Sequence, residues 1–459
     1  MNTAKFLALA SACTFAVADG QRQGEVGMDA VAPSEVMEWE DYKEHFAKVY
    51  TREEEPIRMR TYLANVDLIK RINAEHDAGT SSVRLGVNHF ADMTNQEYRE
   101  MLTFRMSNVT ESNVTILPPA QPGATIDWRT KGAVSPVKNQ YRCGGCWSFA
   151  AIAAAEGAFK IATGQLRVLS EQQLLDCSNQ GGCLGGETPS GLIYIEINKG
   201  VDTESEYTWA EGMAPNPPPK FPCWKQAAAR HAATIFNHTF VKIGDESQMA
   251  AALLISPLAT AVDADSNVFQ LYKTGVLKAG QGCRPSGAAP NHAVTIVGMT
   301  ATSYIVKNSW GPGWGDKGYV QVARGTTGPG VCGIALQNVY AKTHKGPAPP
   351  IPAPAKGPRP GPPPPPKPPP PAPPGSKYTT ITSGTCKSHG YEVVGQDDCV
   401  HKAAKGIARP WGGTFACSQG CPGGCVEDTV SCASCVAYYI PGDPHQSCDG
   451  QIKCVCRKP

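Results

Sequence analysis

After residue 18 no stretch approaches the 18 or more apolar residues that read as a membrane-spanning helix, so no membrane anchor is expected. Neither sign of charge prevails. Lys and Arg number 42, Asp and Glu 40, for a formal net of +2. That excludes a protein driven onto nucleic acid by its charge. Histidine is scarce at 10 of 459 residues, so few positions can serve as a neutral-pH base. Proline is ordinary except in one place: 18 of the 40 lie between Lys345 and Gly375. Cysteine is abundant, with 18 in all and 10 of them from Cys386 to Cys456. So many thiols point to an oxidising compartment. At about 150 residues per domain, the length allows near three units.

The N-terminus has Lys5, an apolar run Phe6–Ala18, and Ala16-Val17-Ala18 as a small-x-small site. This reads as a signal peptide over residues 1–18, too short to span a bilayer. An ordinary buried helix is the alternative, but charged and Gly-rich sequence follows at once. A secretory route is expected, ending outside the cell or in a lysosome or vacuole. It makes the sequons at Asn108, Asn113 and Asn237 usable for glycosylation.

Residues 34–105 are charged and rich in helix formers. Glu54, Arg58, Tyr62, Asn65, Ile69 and Asn73 recur at steps of three and four, so they share one helix face. At least half of that stripe is polar, and buried polar groups need partners, so the face should meet a specific surface. Gly86-Val87-Asn88-His89-Phe90-Ala91-Asp92 follows, then Thr94 with Glu97 three residues on, a capping box. Residues 122–344 have globular composition. Residues 345–375 cannot form a core and read as an extended polyproline II spacer, reaching about 90 Å at ~3.1 Å per residue. An SH3 or WW ligand is the other reading. Residues 376–459 form a Cys-rich module.

The sharpest motif is Gln140-Tyr141-Arg142-Cys143-Gly144-Gly145-Cys146-Trp147-Ser148-Phe149-Ala150. Its two cysteines admit a redox pair or zinc half-site, a structural cystine beside a free nucleophile, or two structural cystines. Zinc would need a second close ligand pair in this domain, and a redox pair a preceding strand; neither is seen. Trp147–Thr163 is an Ala-rich run of helix length ending at Gly164. Cys146 thus sits at a helix N-terminus, where amide dipoles favour a thiolate. His292 opens a run, Ala293-Val294-Thr295-Ile296-Val297-Gly298, that alternates as a half-buried strand would. Lys307-Asn308-Ser309-Trp310-Gly311 follows in a turn-rich loop, where an amide oxygen could hold a ring N–H of a histidine. Each of these two segments, alone, is equally a structural feature.

Together the segments resemble known families. The stripe, with Tyr62 where Phe is usual, and the Gly86–Asp92 block resemble the inhibitory propeptide of cathepsin L-like cysteine proteases. The Gln140–Phe149, Asn291–Val294 and Lys307–Gly315 blocks resemble the papain family over about 122–344. The resemblance implies an α+β, two-lobed fold, helical then β-rich from about His231, with the cleft between lobes. The implied units are a propeptide at 19–121, inhibitory over about 35–95, and a peptidase at 122–344. Cys146 would be the nucleophile, His292 its base and acid, Asn308 the orienting group and Gln140 an oxyanion donor, with Trp310 shielding Asn308. The implied cystines are Cys143–Cys183, Cys177–Cys223 and Cys283–Cys332. Gly185 and Gly186 would let substrate backbone approach. Thr188, Ala261, Ala293 and Gln337 would wall the second subsite, favouring bulky aliphatic or aromatic residues.

The function so implied is a cysteine endopeptidase made as a zymogen and working through a thiolate–imidazolium pair and a thioester. It would need no metal or organic cofactor, act on protein or peptide substrates, be inhibited by its own propeptide and work as a monomer. A non-catalytic binding protein on the same fold, with the tail as its working part, is the alternative. Acid is expected to protonate carboxylates such as Asp92, loosening the propeptide and allowing cleavage near Ala120–Ala124. Tyr141 and Arg142 depart from the usual Gly and small residue and could crowd Cys143. The tail's ten cysteines suggest five cystines in a loop-rich fold, with Trp411, Tyr438 and Tyr439 as core or binding face; a zinc-binding tail is a weaker reading. The tail lacks the adjacent Cys-Cys pairs of granulin modules.

Overall fold

The computed structural model describes residues 37–107, 114–210, 212, 220–283, 290–357 and 359, and the backbone of short strands between 378 and 457. The signal segment, Asn108, Asn113, most of the Pro-rich segment and the side chains of the tail lie outside the described residues. The chain divides into a unit up to residue 363 and another from 364.

The first unit opens with α1 (Trp39–His45) and α2 (Glu55–Asp77), followed by β1 (Val83–Leu85) and α3 (Asn95–Glu100). In α2 the buried residues are Tyr62, Asn65, Val66, Ile69 and Asn73, so the striped face does point inward. What it meets is the chain's own next segment. Asn65 Nδ2 donates to Ala91 O and Met93 O at 2.8 and 3.1 Å. Asn73 Nδ2 donates to Leu85 O at 3.0 Å and its Oδ1 accepts from Leu85 N at 2.8 Å. Arg58 pairs with Glu97 at 2.7 Å. Thr94 and Glu97 form the reciprocal capping box at the head of α3.

The peptidase part begins at β2 (Ile126–Asp127) and continues with α4 (Cys146–Thr163), α5 (Glu171–Cys177), α6 (Thr188–Ile197) and α7 (Lys225–Ala228). Then come β3 (Asn237–Phe240), α8 (Glu246–Leu253), β4 (Leu258–Val262), α9 (Asn267–Gln270), β5 (Tyr272–Leu277), β6 (His292–Met299), β7 (Ser303–Lys307), β8 (Tyr319–Ala323) and β9 (Asn338–Lys342). α4 stops where Gly164 adopts φ 77°, a left-handed cap open to glycine. Its fully buried Trp147 and Phe159 anchor the helical core; truncating either to Ala would cost about 3–5 kcal/mol.

The strands form one sheet in the order β1-β5-β8-β7-β6-β4-β9-β3, with β2 on β6. All pairs are antiparallel except β5 with β8. β1 belongs to the N-terminal region, so that region docks partly by adding a strand to the peptidase sheet at Val83↔Gly275. β2 precedes the helical lobe yet joins the sheet, so the lobes are not cut at one point in sequence.

Two local expectations change. β6 is buried at all eight positions rather than alternately, because α4 and α8 both pack on it. Ser170 caps α5 by accepting from Gln173 N, but the box is only half made. The Gln173 side chain donates instead to Tyr194 Oη at 3.0 Å and accepts from Asp202 N at 2.8 Å.

In the second unit, β10 (Tyr378–Ile381), β11 (Glu392–Val393), β12 (Gly424–Asp428), β13 (Ala437–Ile440) and β14 (Ile452–Arg457) make an antiparallel sheet in the order β10-β14-β12-β13, with β11 also on β14. This is more strand than the loop-rich tail expected. The tail's cystines, its aromatic residues and the zinc alternative fall outside what is described.

Candidate active site

Cys146 is the first residue of α4 and is fully buried. Among the cysteines described with side chains it alone is free. The others pair as Cys143–Cys183, Cys177–Cys223 and Cys283–Cys332, the three pairs the resemblance implies. Backbone N–H groups of Ala293, Trp147 and Cys146 itself reach its sulfur. The Ala293 amide comes from β6, so the second lobe delivers the neighbour of His292 to the Cys146 sulfur.

His292 opens β6 and is fully buried. Its Nε2 lies 2.8 Å from Asn308 Oδ1. An amide oxygen only accepts, so Nε2 carries the proton and Nδ1 is the bare nitrogen. Nδ1 has no hydrogen-bond partner among the described residues. Trp310 stacks on the ring at 4.5 Å and 22°, and Trp314 braces Trp310 edge-on at 5.0 Å. Asn308 is itself fixed, since its Oδ1 also accepts from Ser309 N at 2.8 Å.

Gln140 is fully buried. Its Nε2 donates to Cys143 O at 2.9 Å, and its Oε1 accepts from Ser309 Oγ at 2.6 Å. Ser309 therefore sets which way the amide points. Sequence reading missed this role, although Ser309 stands inside the Lys307–Gly315 block, where it bonds both Asn308 and Gln140.

Residues 102–107 occupy the cleft. Thr103 Oγ1 donates to Gly144 O at 2.9 Å. Phe104 N donates to Asn291 O and Arg105 N to Gly186 O, both at 3.1 Å. Ser107 Oγ donates to Glu187 Oε2 at 2.8 Å. Gly185 has φ +102°, and a Cβ there would sit 2.1 Å from Thr103 O. Glycine is required both by backbone conformation and by this close approach. Phe104 is buried in one cluster with Cys146, Ala261 and Ala293, the last two facing each other across β4 and β6. Thr188 starts α6 and is buried, and Gln337 is buried just before β9. Thr188 Oγ1 and both amide atoms of Gln337 lack partners among the described residues.

Burial beneath this segment controls the charge state. It pushes the Cys146 thiol up to about 11, against the three backbone N–H groups that favour the thiolate. It pulls His292 down to about 4, against the Asn308 hydrogen bond. Burial thus disfavours the charged form of each group while the propeptide covers the site, and the thiolate–imidazolium pair gains once solvent is admitted.

Tyr141, expected to crowd Cys143, instead holds φ 51° and is 44 % exposed, while Cys143 is buried in its cystine. Asn237 opens β3 and is exposed, open to modification. No group of three or more His, Cys, Asp or Glu is gathered for a metal among the described residues.

A family model for papain family cysteine proteases matches residues 122–342, and one for the cathepsin propeptide inhibitor domain (I29) matches residues 39–98. Fruit bromelain of Ananas comosus is 37 % identical over 322 residues, covering 67 % of this chain and 86 % of that one. The chain belongs to the papain family of cysteine proteases. A cathepsin L-like protein of Caenorhabditis elegans is 36 % identical, with 67 % and 91 % of the two chains covered. Among solved structures, digestive procathepsin L2 proteinase of Tenebrio molitor superposes with a TM-score of 0.59 at 32 % identity, covering 66 % of this chain and 98 % of that one.

Membership makes residues 39–98 a cathepsin-type inhibitory propeptide and the protein a papain-family zymogen, a cysteine-type peptidase acting on peptide substrates. The non-catalytic alternative loses its support. Papain-family proteases with such propeptides use the secretory pathway, and no helix among the described residues is long and apolar enough to cross a membrane. Neither family model extends past residue 342.

Proposed function

We propose that Cys146, His292, Asn308 and Gln140 perform the hydrolysis, in an endopeptidase covering residues 122–344. The observation that carries this is the free Cys146 sulfur at a helix N-terminus, within reach of the amide next to His292 and buried in one cluster with the chain's own Phe104. Once the propeptide is gone, the Cys146 proton passes to Nδ1 of His292 and the sulfur attacks the peptide carbonyl. The oxygen that becomes negative is met by Gln140 Nε2–H and the Cys146 backbone N–H, each donor worth about 3 kcal/mol. His292 gives its proton to the leaving amine. A thioester remains; water, deprotonated by His292, hydrolyses it and restores the thiol. Asn308 and Trp310 keep Nε2–H engaged, so the same ring nitrogen handles the proton throughout.

Phe104 among Ala261 and Ala293 supports a second subsite for bulky apolar side chains, and Gln337 adds polar tolerance. The enzyme is read as a monomer without a membrane anchor, working outside the cell or in a lysosome or vacuole, after cleavage near residues 120–124.

An epoxide probe selective for papain-like thiols tests this reading. The matured enzyme should label once, at Cys146. The intact zymogen should label far more slowly, and Cys146→Ser not at all. Labelling that persists in Cys146→Ser would overturn it.

A further inference from the structure

The Pro-rich segment was expected to leave the peptidase as a spacer. Its first part instead lies on the helical lobe. Gly346 N donates to Ala162 O near the end of α4 at 3.3 Å. The Arg167 guanidinium joins Ala232 O to Pro349 O. Arg230 Nη2 donates to Pro352 O at 2.6 Å. Ala355 N donates to Glu206 Oε1 at 2.7 Å. Arg359 donates to Thr208 O at 2.8 Å and to Asp176 Oδ2 at 3.3 Å. Its guanidinium lies over the rings of Tyr207 and Phe221, 5.2 and 5.1 Å from their centroids.

The spacing of these contacts is informative. Residues 346, 349, 352 and 355 are three apart, the repeat of a polyproline II helix. One edge of the strand is read through its backbone: Pro352 and Ala355 are half-buried, Gly346 and Pro349 bond from exposed positions, and Pro350, Ile351, Ala353 and Pro354 stay exposed. The receiving surface is built rather than incidental. Arg167 and Arg230 are 6 % and 9 % exposed, and Arg230 is oriented by Asp202 at 3.0 Å and Glu206 at 2.9 Å. Ala355 packs on Tyr207, Trp224 and Ala227, the apolar, aromatic floor that polyproline II strands favour. The reading groups address two backbone carbonyls and two backbone N–H groups, so they select conformation over side-chain identity until Arg359.

We propose that this flank of the helical lobe is a binding site for a Pro-rich strand in polyproline II form, and that residues 346–359 of the same chain are its resident ligand. The peptidase then ends functionally at Arg359, and the spacer is counted from residue 360.

The test uses the full-length zymogen carrying Cys146→Ser, so that it cannot digest itself. Residue-resolved amide exchange should show Gly346 and Ala355 at least about tenfold slower than in the isolated 346–359 peptide, with Ile351 and Ala353 close to the peptide's rates. Trypsin should cut Lys356–Gly357 at least about tenfold more slowly in the zymogen than in the peptide. Ala355→Pro keeps the strand conformation but deletes the donor to Glu206. It and Glu206→Ala should each bring tryptic cutting toward the rate of a peptide with the matching sequence. Peptide-like exchange at Ala355 would overturn the proposal. So would uniform protection of all these amides, or no response of Lys356–Gly357 cutting to either variant.

Discussion

The inhibitory propeptide and the catalytic cleft both bury polar side chains, and they treat them in opposite ways. Among the described residues of the propeptide no buried polar side-chain atom is left without a partner. Buried Asp92 accepts from Tyr42 Oη at 2.7 Å, Lys48 Nζ at 2.8 Å and Tyr50 Oη at 2.5 Å. Asn65 and Asn73 are satisfied through short links to the 85–93 segment. In the cleft, His292 Nδ1, Asn308 Nδ2 and both ends of Gln337 are buried without partners among the described residues. Unmade hydrogen bonds cost about 1–3 kcal/mol each. Such atoms also occur elsewhere in the peptidase part, at Ser256, Trp224 and Asn338, but beside His292 and Asn308 spare valence can serve the transition state. The two regions should therefore answer mutation differently: activity falls in one, stability in the other.

The largest effect should fall on activity alone. His292→Ala and Cys146→Ala should each lower kcat/KM by about 10⁴-fold or more, while the thermal midpoint of the zymogen changes little. A large fall in midpoint would place these residues in the structural class and break the comparison. Asp92→Ala should do the reverse. It strands the Lys48 ammonium and two tyrosine hydroxyls, costing about 3–5 kcal/mol of propeptide docking, with kcat of the matured enzyme unchanged. Inhibition of mature enzyme by a separately added propeptide, wild-type or variant, measures this directly.

The acid response comes next in size, and here the pairing of Asp92 moves its part to stronger acid. Burial alone would raise its pKa, but Lys48 and the two tyrosines outweigh it and hold the carboxyl below its ordinary value. Its contribution is thus present above the usual carboxylate range and lost only as pH falls below it. His89 behaves oppositely. Burial and the neighbouring Lys48 ammonium, opposed by Asp92, pull its pKa to about 4, from about 6.5 in the unfolded chain. Docking is then eroded as pH falls from about 6.5 to 4. The ring, packed on Phe90 at 3.9 Å, is only half-buried by surface exposure, so about 3 kcal/mol is an upper bound. His89→Gln should flatten the acceleration of self-processing between pH 6.5 and 4.5. Unchanged pH dependence would remove His89 as the trigger. Below it in size stands Ser309→Ala, which frees Gln140 to rotate. About a tenfold loss in kcat is expected, with KM for a good peptide substrate kept and Ser309→Thr restoring part of it.

The groups proposed for catalysis were legible because their chemistry fixes residue type and immediate neighbours: a cysteine at a helix start, a histidine before a strand, an asparagine beside a tryptophan. The α2 face was legible because a half-polar stripe demands partners. What escaped depended on distant chain segments meeting. β6 looked half-buried because periodicity cannot show that α4 and α8 both pack on it. Gln173 looked like a capping-box partner, yet Tyr194 and Asp202 claim its amide. The burial that shifts Cys146 and His292 depends in part on Phe104 packing in the same cluster, which local sequence around position 146 does not encode. The docked start of the Pro-rich segment depends on Arg167 and Arg230, nearly 200 and more than 100 residues upstream of their carbonyl partners.

The smallest effect sharpens the comparison at the boundary between the two classes. Tyr141 lies next to Gln140 but its side chain is 44 % exposed, and its backbone sits at φ 51°, the left-handed region. For a residue with a Cβ that conformation costs roughly 1–2 kcal/mol. The N–H at this position is held by Asn139 Oδ1 at 2.8 Å, so the turn is fixed whichever residue occupies it. Tyr141→Gly would relieve the strain, but glycine gains freedom in the unfolded chain worth about 0.5–1 kcal/mol. The net should be a stabilisation of under about 1 kcal/mol, read from denaturant midpoints of the inactive zymogen. Because the relief is local and Gln140 is held independently by Ser309 and Cys143, kcat of the matured enzyme should stay within about twofold. A destabilised Tyr141→Gly would mean that the phenol ring makes contacts worth more than the strain it imposes. A changed kcat would mean that the strained turn, and not Ser309 alone, aims the Gln140 amide.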